Sequence, residues 1–169
     1  MIIGCGGSGK STLAAKLGVC LTLPVFHLDK YFWNPGWVQT PRPEWNTFQE
    51  DLIKQPSWII DGNYGSSLDL RISAADTIIF LDLPTLACLW NVVKRFLKYR
   101  GTSRPDMCEG CSEALDGEFV AWILKYRKKE RPQVLSKLAQ AEQTKKVVVL
   151  SSFKAMDEFL ESCLVLKHD

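Results

Sequence analysis

Near the start of the chain, Gly4-Cys5-Gly6-Gly7-Ser8-Gly9-Lys10-Ser11 fits the pattern G-x-x-x-x-G-K-[ST] at every fixed position. Each residue type has a physical reason to be there. Glycines let the main chain fold into a nest whose N–H groups converge on phosphate oxygens, with no Cβ in the way. A lysine at this place bridges the outer phosphates of a nucleotide, and the hydroxyl after it is placed to ligate magnesium. A helix opening near Lys10 aims its positive end at the same anion. The run Gly4, Cys5, Gly6, Gly7, Ser8, Gly9, Lys10, Ser11 and Thr12 is therefore the expected ATP-binding segment, with Lys10 also in a catalytic role. Chance produces such a match in roughly 0.5% of chains this long. The apolar strand before it and the apolar-striped helix after it are what the mechanism requires.

Magnesium takes hard oxygen ligands, and ligands of an open parallel sheet gather at the carboxyl ends of its strands. Three aspartates sit at such places. Asp61 closes Trp58-Ile59-Ile60 and precedes Gly62, which suits a group that holds Mg2+ together with Ser11. Asp29 follows the run Pro24–Leu28 and is placed to orient or deprotonate an acceptor hydroxyl. Asp82 follows Thr77–Leu81, but Pro84 and a helical pattern come at once, so a helix cap explains it as well.

Positive charge is concentrated in one internal block. Residues 94–131 hold 10 basic and 6 acidic side chains, against 6 and 8 in residues 1–93 and 5 and 5 in residues 132–169. The formal net charge is only +2, which argues against a nucleic-acid coat or a membrane-surface binder. In phosphoryl transfer a supplied arginine is worth about 10³–10⁵ in rate. Arg95 and Arg100, flanking the turn Arg100-Gly101-Thr102-Ser103-Arg104-Pro105, suit a mobile lid over the phosphates. Arg127 and Arg131 lie one helical turn apart and can close the same site from a second helix. A solvated helix face accounts for Lys128 and Lys129.

Cys108-Glu109-Gly110-Cys111 lies in the same block. Zinc would need two further ligands, yet the chain has only His27 and His168 and no second cysteine pair. A redox pair would open a helix in a thioredoxin-like context, which is missing. An ordinary loop is expected, and all six cysteines are expected as reduced thiols. Tyr31, Phe32, Trp33, Trp37 and Trp45 follow Asp29, and Asn63-Tyr64 follow Asp61-Gly62. Two readings stand for Trp33 and Tyr64: a platform for a planar acceptor, or packing under a Pro-rich loop. Core packing is expected for Trp45.

These groups need a scaffold. Strand-like and helix-like stretches alternate, which predicts an α/β fold with a parallel sheet. Strands are expected at Met1–Ile3, Pro24–Leu28, Trp58–Ile60, Thr77–Leu81 and Lys146–Leu150. Helical stripes run through Lys10–Leu21 (Leu13, Leu17, Cys20, Leu21) and Pro43–Lys54 (Trp45, Phe48, Leu52). A longer stripe of Leu86, Leu89, Trp90, Val93 and Leu97 stops at Gly101 and carries Lys94, Arg95 and Lys98 on its other face. A last helix is expected from about Lys154 to Leu164, and Asn34 to Pro43 reads as an ordered loop. The longest apolar stretch, around Leu86 to Val93, is interrupted by Asn91 and far shorter than the roughly 20 residues of a spanning helix. No signal-peptide pattern is visible, so a cytoplasmic setting without membrane association is expected.

Gly4–Ser11, His27-Leu28-Asp29 with Trp33-Asn34-Pro35-Gly36-Trp37, Asp61-Gly62-Asn63-Tyr64, Asp76 to Asp82, and Tyr99-Arg100-Gly101 to Arg104-Pro105-Asp106-Met107 together resemble one family. It is the bacterial DNA topology modulation (FlaR-like) proteins, P-loop kinases related to adenylate kinase. The resemblance spans nearly the whole chain. It implies a three-layer α/β/α nucleoside-monophosphate-kinase-like fold with a five-stranded parallel sheet and a short helical lid. Residues 1–169 would form a single P-loop kinase domain, with the lid at about 95–131, and with ATP and Mg2+ as ligands. The lid of such kinases matches Arg95, Arg100 and Arg104, and Asp61-Gly62 looks like the Asp-Gly pair that ends the third strand of adenylate kinases. Arg71 sits where the resemblance allows an acceptor-binding arginine. The loop itself is nearer to those of shikimate, gluconate and nucleoside kinases than to the Gly-x-Pro-Gly loop, so the resemblance does not imply AMP specificity.

The expected activity is ATP-dependent phosphoryl transfer to a small-molecule acceptor, with nucleosides and nucleotides as leading class and Asp29, Trp33, Asn63, Tyr64 and Arg71 binding the acceptor. The alternatives are a regulatory nucleotide-binding protein linked to DNA topology and a bare ATPase. Asp29 opposite the phosphate loop counts against a mere nucleotide switch, and no DNA-reading module is visible.

Overall fold

Short runs of branched residues become strands because each can bury both faces in the middle of a layered domain. The computed structural model describes residues 1–165, so His168 lies outside the described residues. Its elements are β1 (Ile2–Gly4), α1 (Lys10–Leu21), β2 (Val25–His27), α2 (Leu28–Phe32), β3 (Trp33–Asn34), β4 (Val38–Gln39), α3 (Arg42–Leu52) and β5 (Ile59–Asp61). After a 3-10 turn at Gly65–Ser67 come α4 (Leu68–Ala74), β6 (Thr77–Leu81), α5 (Thr85–Tyr99), α6 (Gly117–Lys129), α7 (Arg131–Ala141), β7 (Lys146–Leu150) and α8 (Phe153–Val165).

Five strands form one parallel sheet in the order β2-β5-β1-β6-β7. Side chains alternate between its faces, as strand geometry demands. Ile2, Ile59, Ile79 and Leu81 pack with Leu13 and Leu17 of α1, Val92 of α5, Ile123 of α6 and Met156 of α8. Ile3, Ile78 and Phe80 face the other way, onto Leu68 of α4 and Val134 and Leu138 of α7. Ile60 packs with Leu28, Trp45 and Leu52. The result is the α/β/α sandwich with a five-stranded parallel sheet.

Register decides what meets at the carboxyl edge. Ile2 and His27 both pair with Asp61, and Gly4 pairs with Leu81. The segment leaving β1 therefore emerges beside the ends of β5 and β6, with β2 next in line.

Three local expectations change. The segment read as an ordered loop from Asn34 is partly an antiparallel hairpin, with Trp33 opposite Gln39 and Asn34 opposite Val38. Much of the apolar stripe of α5 turns away from the core: Leu86, Trp90 and Leu97 are 78%, 60% and 71% exposed, while Leu89 packs partly against it. Cys88 and Val92 point inward instead, because α5 lies against the glycine loop, where a Cβ on Gly7 would meet the Cys88 carbonyl oxygen at 2.3 Å. That contact sets the rotation of the helix. Between α5 and α6 the chain is a loop tied by the bridges Arg100 to Glu113 and Ser103 to Ser112, so the helical part of the lid is its two flanking helices. Among the described residues no helix is long and apolar enough to cross a membrane.

Candidate active site

The segment from Gly4 to Ser11 turns tightly out of β1 into α1. Gly7 (φ 76°) and Gly9 (φ 91°) adopt left-handed backbone that side chains disfavour, and Gly9 caps α1 without any side-chain hydrogen bond. The first N–H groups of α1 are thus left facing the concavity of the loop. The Ser8 hydroxyl is buried there without a protein partner. Lys10 Nζ donates to the carbonyls of Gly4 (3.0 Å) and Cys5 (2.9 Å), which lays the ammonium along the loop. Cys5 lies beneath, hydrogen-bonded to Cys88; that bond and burial raise its pKa, so it remains a thiol and packs as a small apolar group.

A hard-oxygen cluster adjoins the loop. Ser11 Oγ donates to Asp61 Oδ2 at 2.8 Å, and His27 Nδ1 meets Asp61 Oδ1 at 2.5 Å. Burial alone would lower the His27 pKa, but the hydrogen bond and charge of Asp61, with Asp106 and Asp29 beyond, carry it above the ordinary histidine value. The donor set fits a magnesium-bound nucleotide: a glycine cradle, an orphaned hydroxyl, a lysine, and a serine–aspartate pair at the mouth of the loop.

Across the cleft, Asp29 projects from the first turn of α2 and accepts a hydrogen bond from the Tyr64 hydroxyl at 2.7 Å. Burial, and then the charge of Asp29, push the Tyr64 pKa up, so it stays a donor. Tyr64 also packs against Phe32 and Trp45, with ring centroids 4.8 and 4.9 Å away, so both readings of it meet in one residue. Trp45 is core, 3% exposed. Trp33 and Trp37 meet edge to face at 5.4 Å and line the cleft together with Asn63.

On the lid side, Arg95 of α5 and Arg104 of the loop line the cleft, and both hold the buried carboxylate of Glu113. The whole cleft measures about 1500 Å³. Phe119 and Trp122 of α6 roof it, with a ring carbon of Phe119 only 2.5 Å from where a Cβ on Gly6 would lie.

The structure thus brings Gly6, Gly7, Gly9, Lys10, Ser11, Thr12, Asp29, Trp33, Asn63, Tyr64, Arg95 and Arg104 to one cleft, with Asp61 bonded to Ser11 at its floor. Four expected arginines stand elsewhere. Arg71 is fully buried and donates to the carbonyls of Gly62 (2.9 Å) and Tyr64 (2.6 Å), so it holds the segment that presents Asn63 and Tyr64 without itself lining the cleft. Burial lowers its pKa to about 10. Arg100 is exposed, its guanidinium 5.8 Å from the Phe96 ring. Arg127 is exposed on α6. Arg131 forks Asp82, with Nε to Oδ1 at 2.7 Å and one terminal nitrogen to Oδ2 at 2.6 Å. That fork, and no helix cap, is the bond of Asp82, and it ties the start of α7 to the end of β6.

Sequence reasoning missed several cleft residues, Asn91, Glu113, Phe119 and Trp122 among them. Asn91 donates to the Gly7 carbonyl at 2.8 Å, and its signal was visible as the polar residue interrupting an apolar run. Glu113 and Phe119 gave no such signal. Cys111 is buried and donates from its thiol to the Asn34 carbonyl at 3.2 Å, which docks the lid loop on the β3–β4 hairpin.

No protein-family model matches the sequence, and no curated protein matches it. Among solved structures, the chain is similar to shikimate kinase from Bacteroides thetaiotaomicron (TM-score 0.56, 15% identity, 99% of this chain and 96% of that one). It is also similar to a Chloroflexus aurantiacus protein held, but not established, to be a kinase (TM-score 0.52, 16% identity, 99% and 97%). The fold is that of the P-loop kinases. At these identities the likeness extends to architecture, in which the glycine loop of this chain stands at the carboxyl edge of the sheet, between β1 and α1.

Proposed function

We propose that the chain is a Mg2+-dependent ATP:acceptor phosphotransferase acting on a small molecule, with nucleosides or nucleotides as the leading acceptor class. One observation carries this reading: the glycine loop with Lys10 and Ser11 shares a single cleft with the Asp29–Tyr64 pair and two arginines. A phosphate cradle alone serves a switch or an ATPase. A carboxylate opposite it, set among aromatic walls, serves an acceptor hydroxyl.

When bound, Mg·ATP supplies the phosphoryl group and a counter-charge for it. The loop from Gly4 to Ser11 and Thr12 would hold the nucleotide phosphates, and Ser11 with Asp61 would hold the metal. Lys10 would leave the Gly4 and Cys5 carbonyls for the outer phosphates. Asp29, kept in place by Tyr64, would orient the acceptor hydroxyl and take its proton, while Trp33, Trp37 and Asn63 bound the space beside it. Arg95 and Arg104 would stabilise charge on the transferred group. The family resemblance supports a cytoplasmic FlaR-like kinase, and a role in DNA topology would be indirect, since the net charge is only +2 and the sequence carries no DNA-reading module.

Lys10→Ala tests the assignment. ADP formation should fall by about 10²-fold or more while the thermal midpoint stays near that of the unaltered protein; undiminished turnover would remove Lys10 from the chemistry.

A further inference from the structure

Two guanidinium groups in a partly buried site repel, and something must hold them together. Arg95 and Arg104 solve this through one residue. Arg95 Nε donates to Glu113 Oε1 at 2.7 Å. Arg104 Nε lies 2.7 Å from Glu113 Oε2, at ion-pair distance though outside hydrogen-bond alignment, and its Nη1 donates to Asp106 at 2.8 Å. The Glu113 side chain is 3% exposed, against 23% for Arg95 and 9% for Arg104. Burial and the charge of Arg104 lower the Arg95 pKa, and Glu113 acts in the opposite direction.

The geometry leaves the useful ends free. Glu113 takes the Nε edge of each arginine, so both terminal amino groups of Arg95 and one of Arg104 have no hydrogen-bond partner among the described residues, and the Arg95 guanidinium stands 5.7 Å from the centre of the Phe119 ring. These are the donors that match phosphoryl oxygens. The carboxylate is itself fixed through its main chain. Glu113 N–H donates to the Thr102 carbonyl at 3.0 Å. The neighbouring Ser112 carbonyl accepts from the Trp37 indole at 3.2 Å, and the Gly110 carbonyl accepts from the Gly36 N–H at 3.2 Å.

We infer that Glu113 is a positioning residue: it sets Arg95 and Arg104 as a pair of phosphoryl-facing donors, and its loop is anchored on the hairpin that carries Trp33 and Trp37. This rests on the phosphotransferase reading and adds a residue to it. Glu113→Gln keeps the shape and removes the charge, while Glu113→Asp keeps the charge on a shorter stem.

The test compares binding of MgADP with binding of MgADP plus aluminium fluoride, a mimic of the phosphoryl group in flight. Arginine Nε–H signals are followed by NMR in the nucleotide-free protein. In Glu113→Gln, MgADP affinity should stay within about twofold of the unaltered protein, while the tightening by aluminium fluoride falls by about tenfold or more. Glu113→Asp should recover most of the tightening, and the protected Arg95 Nε–H signal should be lost only in the Gln variant. Full tightening in Glu113→Gln would overturn the inference. So would Gln and Asp variants that lose MgADP affinity as steeply as the tightening, which is the mark of a merely structural residue. Unaltered protein that binds MgADP with no tightening would count against the phosphotransferase reading itself, and the NMR signals then decide separately whether Glu113 holds the pair.

Discussion

Asp29 and Tyr64 stand 35 positions apart in sequence and meet at 2.7 Å in the cleft. If Asp29 handles the acceptor proton, Asp29→Asn should cut kcat by about 10²–10⁴ with a much smaller change in KM for ATP. Tyr64→Phe removes only the donor that fixes the carboxylate, so its loss should be smaller and in the same direction. Steady-state kinetics on both variants checks the order, and an Asp29→Asn enzyme of normal kcat would remove the base. Residue type was a good guide to position where the pattern is local. Lys10, Ser11 and Asp29 line one cleft, with Asp61 bonded to Ser11 beside it, where loop pattern and strand ends put them. Arg71 did not, because its partners are the Gly62 and Tyr64 carbonyls, which exist as a target only once the chain has turned after β5. Arg131 belongs with it: its fork to Asp82 joins two elements whose approach no spacing encodes.

The helix that matters most for the site is α5, which touches the glycine loop at its start and carries Arg95 near its end. Its apolar stripe suggested one rotation and the structure has another, because the Gly7–Cys88 contact outranks the burial of Leu86, Trp90 and Leu97. Gly7→Ala should therefore do two things. A Cβ at φ 76° is strained, and it would lie 2.3 Å from the Cys88 carbonyl oxygen. Stability should drop by at least about 1 kcal/mol, read from thermal denaturation, with nucleotide affinity falling alongside as α5 is displaced. An Ala variant of unchanged stability would show that the helix is not seated on the loop. The β3–β4 hairpin was out of reach for a different reason. Strands of two residues give no period to read, and the lid loop that covers them lies some 75 residues away.

At the scale of the molecule, β1 sits in the centre of the sheet, with β5 and β2 on one side and β6 and β7 on the other. The chain runs first to one side and then to the other, and ligand crevices form at such switch points. The sequence showed the alternation of strands and helices that predicts a parallel sheet, and the family resemblance implied five strands, while the strand order is read from the structure alone. Charge follows the same division. The acidic first half supplies Asp29 and Asp61 to the floor of the cleft, and the basic block supplies Arg95 and Arg104 to its lid, with Glu113 between them. The small net charge of +2 is the sum of these opposed parts. An enzyme built this way should turn over ATP only when an acceptor fills the space beside Asp29. The most direct measurement is ADP formation from MgATP with a panel of nucleosides, nucleotides, sugars and small hydroxy acids. At least one hydroxyl-bearing compound should raise the rate by about tenfold or more over ATP alone, and Lys10→Ala should abolish that rise. ADP formation that no compound changes, from a protein that binds MgATP, would contradict the phosphotransferase account.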